Sequence, residues 1–143
     1  MLAIVNEGVA GGAEVETGGR AMDRRGYFVE PTLLTGTTSD MRLITDEIFG
    51  PVGSIIPFDE EEEALGWAND TEYGLAATVW TENIGRAHRL AKRIQSGLVW
   101  INCALAADRS LPFGGYKQPG WGHERGWKEP EACMNTKSVY VGL

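Results

Sequence analysis

Leu75-Ala76-Ala77-Thr78-Val79-Trp80-Thr81, then Asn83 to Ile94, then Gly97-Leu98-Val99-Trp100-Ile101 is the stretch that decides the fold. Its first part is apolar and rich in strand formers. Asn83 is a good helix N-cap. Ile84, Ala87, Leu90, Ala91 and Ile94 then recur at helical spacing and make one apolar face. Arg86, His88, Arg89, Lys92 and Arg93 fall on the wet side. Gly97 stands where the helix stops, in a position that often takes positive φ. Leu98 to Ile101 reads as a second strand. Strand, helix and strand of this size predict a βαβ unit with parallel strands and a right-handed crossover. Ligands of parallel sheets bind beyond the carboxyl ends of the strands. Asn102 and Cys103 sit at that end. The loop after them, with Pro112 to Lys117 and Gly120-Trp121-Gly122, is then a candidate wall of a site.

Outward from this unit the pattern is less regular. Met1 to Gly8 reads as the end of a helix, stopped by Gly11 and Gly12. Ala13 to Glu16 alternates as a short strand, closed by Gly18-Gly19. Tyr27-Phe28-Val29 and Thr32-Leu33-Leu34 flank Pro31, which cannot donate to a ladder, so this strand is an edge or is broken there. Ser39-Asp40 can cap a short helical turn before Met41. Gly53 to Phe58 predicts a strand, and Asp59 caps a helix through about Asn69. The carboxylates of Glu60, Glu61, Glu62 and Glu63 oppose the positive end of that helix dipole, which explains the acidic run without a metal. Lys128 to Met134 reads as a short helix and Lys137 to Val141 as a final strand.

Composition bounds the function. The chain has 143 residues, 43% of them hydrophobic and 23% charged, which is globular. Thirteen basic against twenty acidic residues give a net charge of -7. The densest basic group is a solvated helix face, so no nucleic-acid partner is expected. Two cysteines exclude a disulfide scaffold. No apolar run reaches the ~20 residues of a membrane helix, and the first residues lack a signal-peptide pattern. A protein of the cytoplasm is the expectation, with no membrane partner.

Little in the chain reads as an independent catalytic centre. His88 and His123 are too few and too scattered for zinc, so no metal is expected. Gly120-Trp121-Gly122 resembles the start of a dinucleotide fingerprint, but Arg125 stands at its third glycine position. Cys103 could be approached by His123, yet buried cysteine is mostly a small apolar filler. Thr45-Asp46-Glu47-Ile48-Phe49-Gly50-Pro51-Val52 is different. If extended, it puts Glu47 and Phe49 on one face. A carboxylate accepts hydrogen bonds from sugar hydroxyls, and a ring packs on a flat heterocycle. On physical grounds alone the simpler reading is a turn with one buried Phe.

Five motifs in order resemble the C-terminal part of the NAD(P)-dependent aldehyde dehydrogenase superfamily. They are Gly26-Tyr27-Phe28-Val29-Glu30-Pro31-Thr32, Glu47-Ile48-Phe49-Gly50-Pro51-Val52, Asn69 with Tyr73-Gly74-Leu75-Ala76-Ala77, Gly97-Leu98-Val99-Trp100-Ile101-Asn102, and Pro112-Phe113-Gly114-Gly115-Tyr116-Lys117. The resemblance implies an α/β fold, a parallel-sheet βαβ fragment of the catalytic domain over residues 1–127, with a C-terminal oligomerisation strand in 128–143. It implies that Glu47 binds the nicotinamide ribose hydroxyls, that Phe49 packs beside that ribose and ring, and that Leu75 lies near the nicotinamide. Phe113 would line the inner substrate tunnel. Homo-oligomers would form through the closing Asn135-Thr136-Lys137-Ser138-Val139 segment.

This chain departs from the family at Pro119-Gly120, at Met134, and at Ala104 to Ala107, where many members carry aromatic tunnel residues. In the family a cysteine attacks the aldehyde, hydride passes to NAD or NADP, and a glutamate-activated water releases the acid. Those residues precede this region, and Cys103 and Asn102 do not match the catalytic pair. The expectation is therefore no catalytic residue in this chain and no coenzyme bound by it alone. The partner would be a missing N-terminal half or a second copy.

Overall fold

The computed structural model describes residues 1–118, 120 and 122–142, without the side chain of Lys128. The Pro119-Gly120 departure and the Gly120-Trp121-Gly122 string fall partly outside the described residues. Two compact units divide the chain, Met1–Ala64 and a second that begins at Leu65. Among the described residues no helix is long and apolar enough to cross a membrane.

The first unit is built on a three-stranded sheet. Helix α1 (Leu2–Ala10) leads into β1 (Glu14–Thr17), followed by β2 (Thr32–Thr35), α2 (Arg42–Thr45) and β3 (Val52–Ser54). The strands lie in the order β1-β2-β3, with β1 antiparallel to β2 and β2 parallel to β3. Pro31 does break the earlier strand: only an isolated bridge joins Ala21 to Val29, and β2 starts at Thr32 in the middle of the sheet. The strand expected over 53–58 is shorter. Ile55 N–H still donates to Leu34 O at 2.8 Å, and Pro57 then offers no donor. Val5, Ala13, Leu34 and Leu43 form the buried core, and Ile4, Met41, Ile48 and Val52 pack against it. The short helix α2 is not capped by Ser39 or Asp40. Its N-cap is Met41 without a side-chain bond, because Asp40 instead accepts from the Thr38 hydroxyl.

Helix α3 (Glu61–Asn69) carries its three glutamates in the first turn. Glu63 reaches back to accept from Asp59 N–H at 3.3 Å, a second use for an acidic side chain there.

The second unit contains β4 (Ala76–Val79), α4 (Ile84–Arg93) and β5 (Leu98–Ile101), with β4 and β5 parallel. The βαβ reading holds. Asn83 caps α4 by accepting from Arg86 N–H at 3.0 Å. Ala87 is fully buried, Leu90, Ala91 and Ile94 are half-buried, and only Ile84 of the expected apolar face is exposed.

Gly97 corrects its expectation. It takes no positive φ and does not cap the helix. Asn69 does that work from α3: its side-chain N–H donates to Arg93 O at 3.0 Å, and its Oδ1 accepts from Gln95 N–H at 2.8 Å. Gly97 is glycine for another reason. A Cβ there would stand 1.7 Å from Gly114 O.

A 3-10 turn (Gly126–Lys128) runs into the four-residue helix α5 (Glu129–Ala132). The strand expected over 137–141 does not form among the described residues. Val139, Tyr140 and Val141 are all exposed. A strand needs a neighbouring edge for its ladder, and this segment pairs with none among the described residues.

Candidate functional site

In the first unit the chain leaves α2 in an extended conformation, with Asp46 at φ -93 and ψ 146. Arg42 fixes that exit. Its guanidinium donates to Asp46 Oδ2 at 2.8 Å through Nε and lies 2.7 Å from it through Nη2, while Nη1 donates to Glu7 of α1 at 3.2 Å. The hydrogen bond to Asp46, and then the charges of Asp46 and Glu7, push the Arg42 pKa up from its ordinary value.

Beyond Asp46 the side chains alternate. Ile48 packs on the core, while Glu47 and Phe49 face outward. Phe49 is 93% exposed. The simpler expectation, a turn with one buried Phe, is therefore wrong. Ile48 is the half-buried residue that packs on the core, and its two exposed neighbours follow the alternation of an extended segment. Glu47 and Phe49 thus present a carboxylate and a ring side by side. That acceptor and ring suit a ribose with two adjacent hydroxyls joined to a flat heterocycle.

In the second unit Asn102 stands just past β5 at φ 52. Its side-chain N–H donates to Thr81 O at 2.9 Å, and its Oδ1 accepts from Thr81 N–H at 2.8 Å. The amide thereby ties off the carboxyl ends of the parallel pair. Cys103 is half-buried beside it and Cys133 is exposed; both are free thiols. His123 does not serve Cys103 in any hydrogen bond among the described residues. Its ring lies against Gly114, where an added Cβ would meet Cδ2 at 2.6 Å.

The glycine-rich loop does not stay at those carboxyl ends. It runs back and docks at the start of both strands. Tyr116 N–H and Gly97 N–H both donate to Gly74 O, at 2.9 and 3.0 Å, and Gln118 N–H donates to Glu72 O at 2.9 Å. Lys117 Nζ donates to Asn69 O at 2.6 Å and to Thr71 O at 2.8 Å. The expected site wall is thus moved to the opposite end, because backbone groups left open there by Gly74 and Thr71 capture it. Leu75, part-exposed, and Phe113, half-buried, both belong to this end of the second unit. Glu47 and Phe49 lie together in the first.

A cavity of about 280 Å³ opens against β5. Leu98, Val99 and Trp100 form one wall. Ala106, Ala107 and Asp108 form another, folded inward by the Trp100 Nε1–H bond to Ala106 O at 2.8 Å. Leu111, Pro112 and Phe113 close it, with Arg125 at the rim. Phe113 is held by reciprocal 2.7 Å backbone bonds with Glu124.

Arg125 follows at φ 61 and ψ 178, a conformation that costs a non-glycine residue about 1–3 kcal/mol. Its guanidinium carbon lies 5.3 Å from the centre of the Phe113 ring. Asp108 Oδ1 accepts from both the amide and the hydroxyl of Ser110, at 2.8 and 2.7 Å. Those bonds, hydroxyl first, hold its carboxyl below the usual aspartate value, so it is charged at neutral pH. Sequence reasoning met Arg125 only as a misplaced fingerprint position. The Asp108-x-Ser110 turn pattern was the readable signal that this loop is ordered.

Comparison with known proteins adds a family. The sequence profile of the aldehyde dehydrogenase family matches residues 1–139. An aldehyde dehydrogenase of Agaricus bisporus is 43% identical over 143 residues, all of this chain and 29% of the fungal protein. The 2-aminomuconic semialdehyde dehydrogenase of Mus musculus is 53% identical over 119 residues, 83% of this chain and 24% of the mouse protein. The NAD+ complex of an aldehyde dehydrogenase from Bacillus cereus superposes with a TM-score of 0.91 at 44% identity, covering 99% of this chain and 29% of that one. The chain spans under a third of the length of these relatives.

Proposed function

Because the chain belongs to the aldehyde dehydrogenase family, we propose that it forms the coenzyme and substrate wall of an enzyme oxidising an aldehyde to a carboxylic acid with NAD(P)+. Residues 1–127 supply the wall and 128–143 the oligomerisation segment. The observation that carries this reading is the alternation at Glu47-Ile48-Phe49. Core packing of Ile48 holds a carboxylate and a ring outward together. Glu47 accepts hydrogen bonds from the nicotinamide ribose hydroxyls, and Phe49 packs on the sugar and ring. Leu75 lies near the nicotinamide, and Phe113 beside the path of the aldehyde. The coenzyme, when bound, supplies a hydride acceptor. The two free thiols suit a reducing cytoplasm.

These 143 residues do not perform the oxidation by themselves. One N–H and the Oδ1 of the Asn102 amide are engaged with Thr81, so the amide is oriented by the ends of β4 and β5 and not toward a reacting carbonyl. Cys103 has no base in hydrogen-bond reach among the described residues, and a thiol without one is a weak nucleophile. The test follows NADH absorbance with a panel of aldehydes. The expected outcome is no production above buffer. Turnover that disappears in Cys103→Ala would sink this reading.

A second reading is favoured by the closing segment, where Tyr140 is 95% exposed and its neighbours have no ladder partner among the described residues. The chain is then a module that pairs this segment with a second copy, or completes an enzyme by joining a separate front half. Light scattering is expected to show dimers or larger species. A well-behaved monomer at high concentration argues against self-pairing.

A further inference from the structure

The cavity against β5 has a feature that apolar packing does not require. Arg125 holds its backbone in a region where glycine is at ease and other residues stand only when their surroundings enforce it. Independently, its guanidinium sits over the Phe113 ring at the cavity rim. Among the described residues no carboxylate pairs with the guanidinium; the Glu129 carboxylate instead accepts from the Arg125 backbone N–H at 3.0 Å. A cation over a ring face keeps the edge of its planar fork open, and that fork matches the two oxygens of a carboxylate. Asp108, the other charged residue of the wall, has its Oδ1 committed to Ser110. Ala106 and Ala107 leave space between Trp100 and Phe113 for an apolar body.

We infer that this cavity is a carboxylate subsite, in which Arg125 takes the anionic end of a small organic acid and Trp100 and Phe113 enclose its apolar part. The inference rests on the reading that Phe113 stands beside the path of the aldehyde, and it narrows the substrate to an oxo acid. No bond is made or broken in the cavity; it binds and orients.

The experiment titrates the full chain with hexanoate and with uncharged hexanamide, followed by calorimetry. Hexanoate is expected to saturate and to bind about tenfold or more tightly than hexanamide, the size of one charge-assisted contact. Arg125→Gln removes that preference, and Arg125→Lys keeps part of it. Arg125→Gly removes it while raising the melting temperature, which separates a binding role from a structural one. Ala106→Trp fills the cavity, keeps the charge and abolishes hexanoate binding. Equal binding of acid and amide overturns the subsite. So does an unchanged hexanoate affinity in Arg125→Gln, or in Ala106→Trp should the arginine variants fail to fold. The readout is binding by this chain, so its failure leaves the dehydrogenase reading to the NADH assay.

Discussion

Gly97→Ala is expected to destabilise the second unit by about 3–5 kcal/mol, enough to unfold it in a marginally stable chain. An alanine at an ordinary backbone angle normally gains about 0.4–1 kcal/mol by stiffening the unfolded chain. Here that gain is overwhelmed. The added Cβ would lie 1.7 Å from Gly114 O, 2.8 Å from Gly114 C and 3.2 Å from Gly115 Cα. Every one of these atoms is backbone, so no flexible side-chain tip can swing away. The Gly114-Gly115 segment must lift, and its lift strains the bonds that Tyr116 and Gly97 both make to Gly74 O. Two weakened hydrogen bonds contribute about 1 kcal/mol each, and overpacking about 1–3 kcal/mol more. Urea denaturation of the variant and the parent chain measures the sum. A difference under about 1 kcal/mol would mean the loop is not docked on Gly97.

The second large effect is expected from Leu34→Ala, about 3–4 kcal/mol in the first unit. Leu34 lies on the central strand at 0% exposure, packed with Val5, Ala13 and Leu43. Its neighbours belong to both flanking strands, to α1 and to α2, so the hole cannot close by a small shift. The same cluster seats Ile48. Loosening it removes the anchor that turns Glu47 and Phe49 outward, so fold and candidate site fail together. Hydrogen exchange should lose protection across β1 to β3. Leu33→Ala, a half-buried neighbour on the other face of the strand, is the control and should cost roughly 1 kcal/mol. Equal losses at the two positions would contradict the packing described.

The βαβ unit was legible because its information is local. Helical spacing, a cap at Asn83 and two apolar runs all agree there. The alternation around Ile48 was legible only as a conditional, since deciding which of Ile48 and Phe49 is buried needs the core that Leu34 and Leu43 assemble. Gly97 misled for a related reason. A glycine after a helix has a local explanation, and here the cause is a carbonyl seventeen residues on. Asn69 carried no local hint that it caps another helix. The return of the Phe113 loop escaped for the same cause, because the acceptors that capture it belong to Asn69, Thr71 and Gly74. Arg125 lay beyond periodicity altogether. Its significance is a backbone angle and a ring contact. The closing segment has strand composition, but composition does not supply a partner edge.

The lysine clasp on the start of β4 also bears on how the chain assembles. β4 and β5 join residues 22 apart, Ala76 with Leu98. Lys117 instead reaches Asn69 across 48 residues. Closing the longer loop costs more chain entropy, which the two lysine bonds at an exposed surface and the backbone bonds of Tyr116 and Gln118 repay only once the strands are paired. The parallel pair can therefore nucleate first, with the Pro112–Lys117 loop arriving afterwards. In reverse, that loop lets go first. Phe113 and the cavity behind it are then the earliest part of the second unit to open, so a ligand held there would act as a brake on the first step of unfolding.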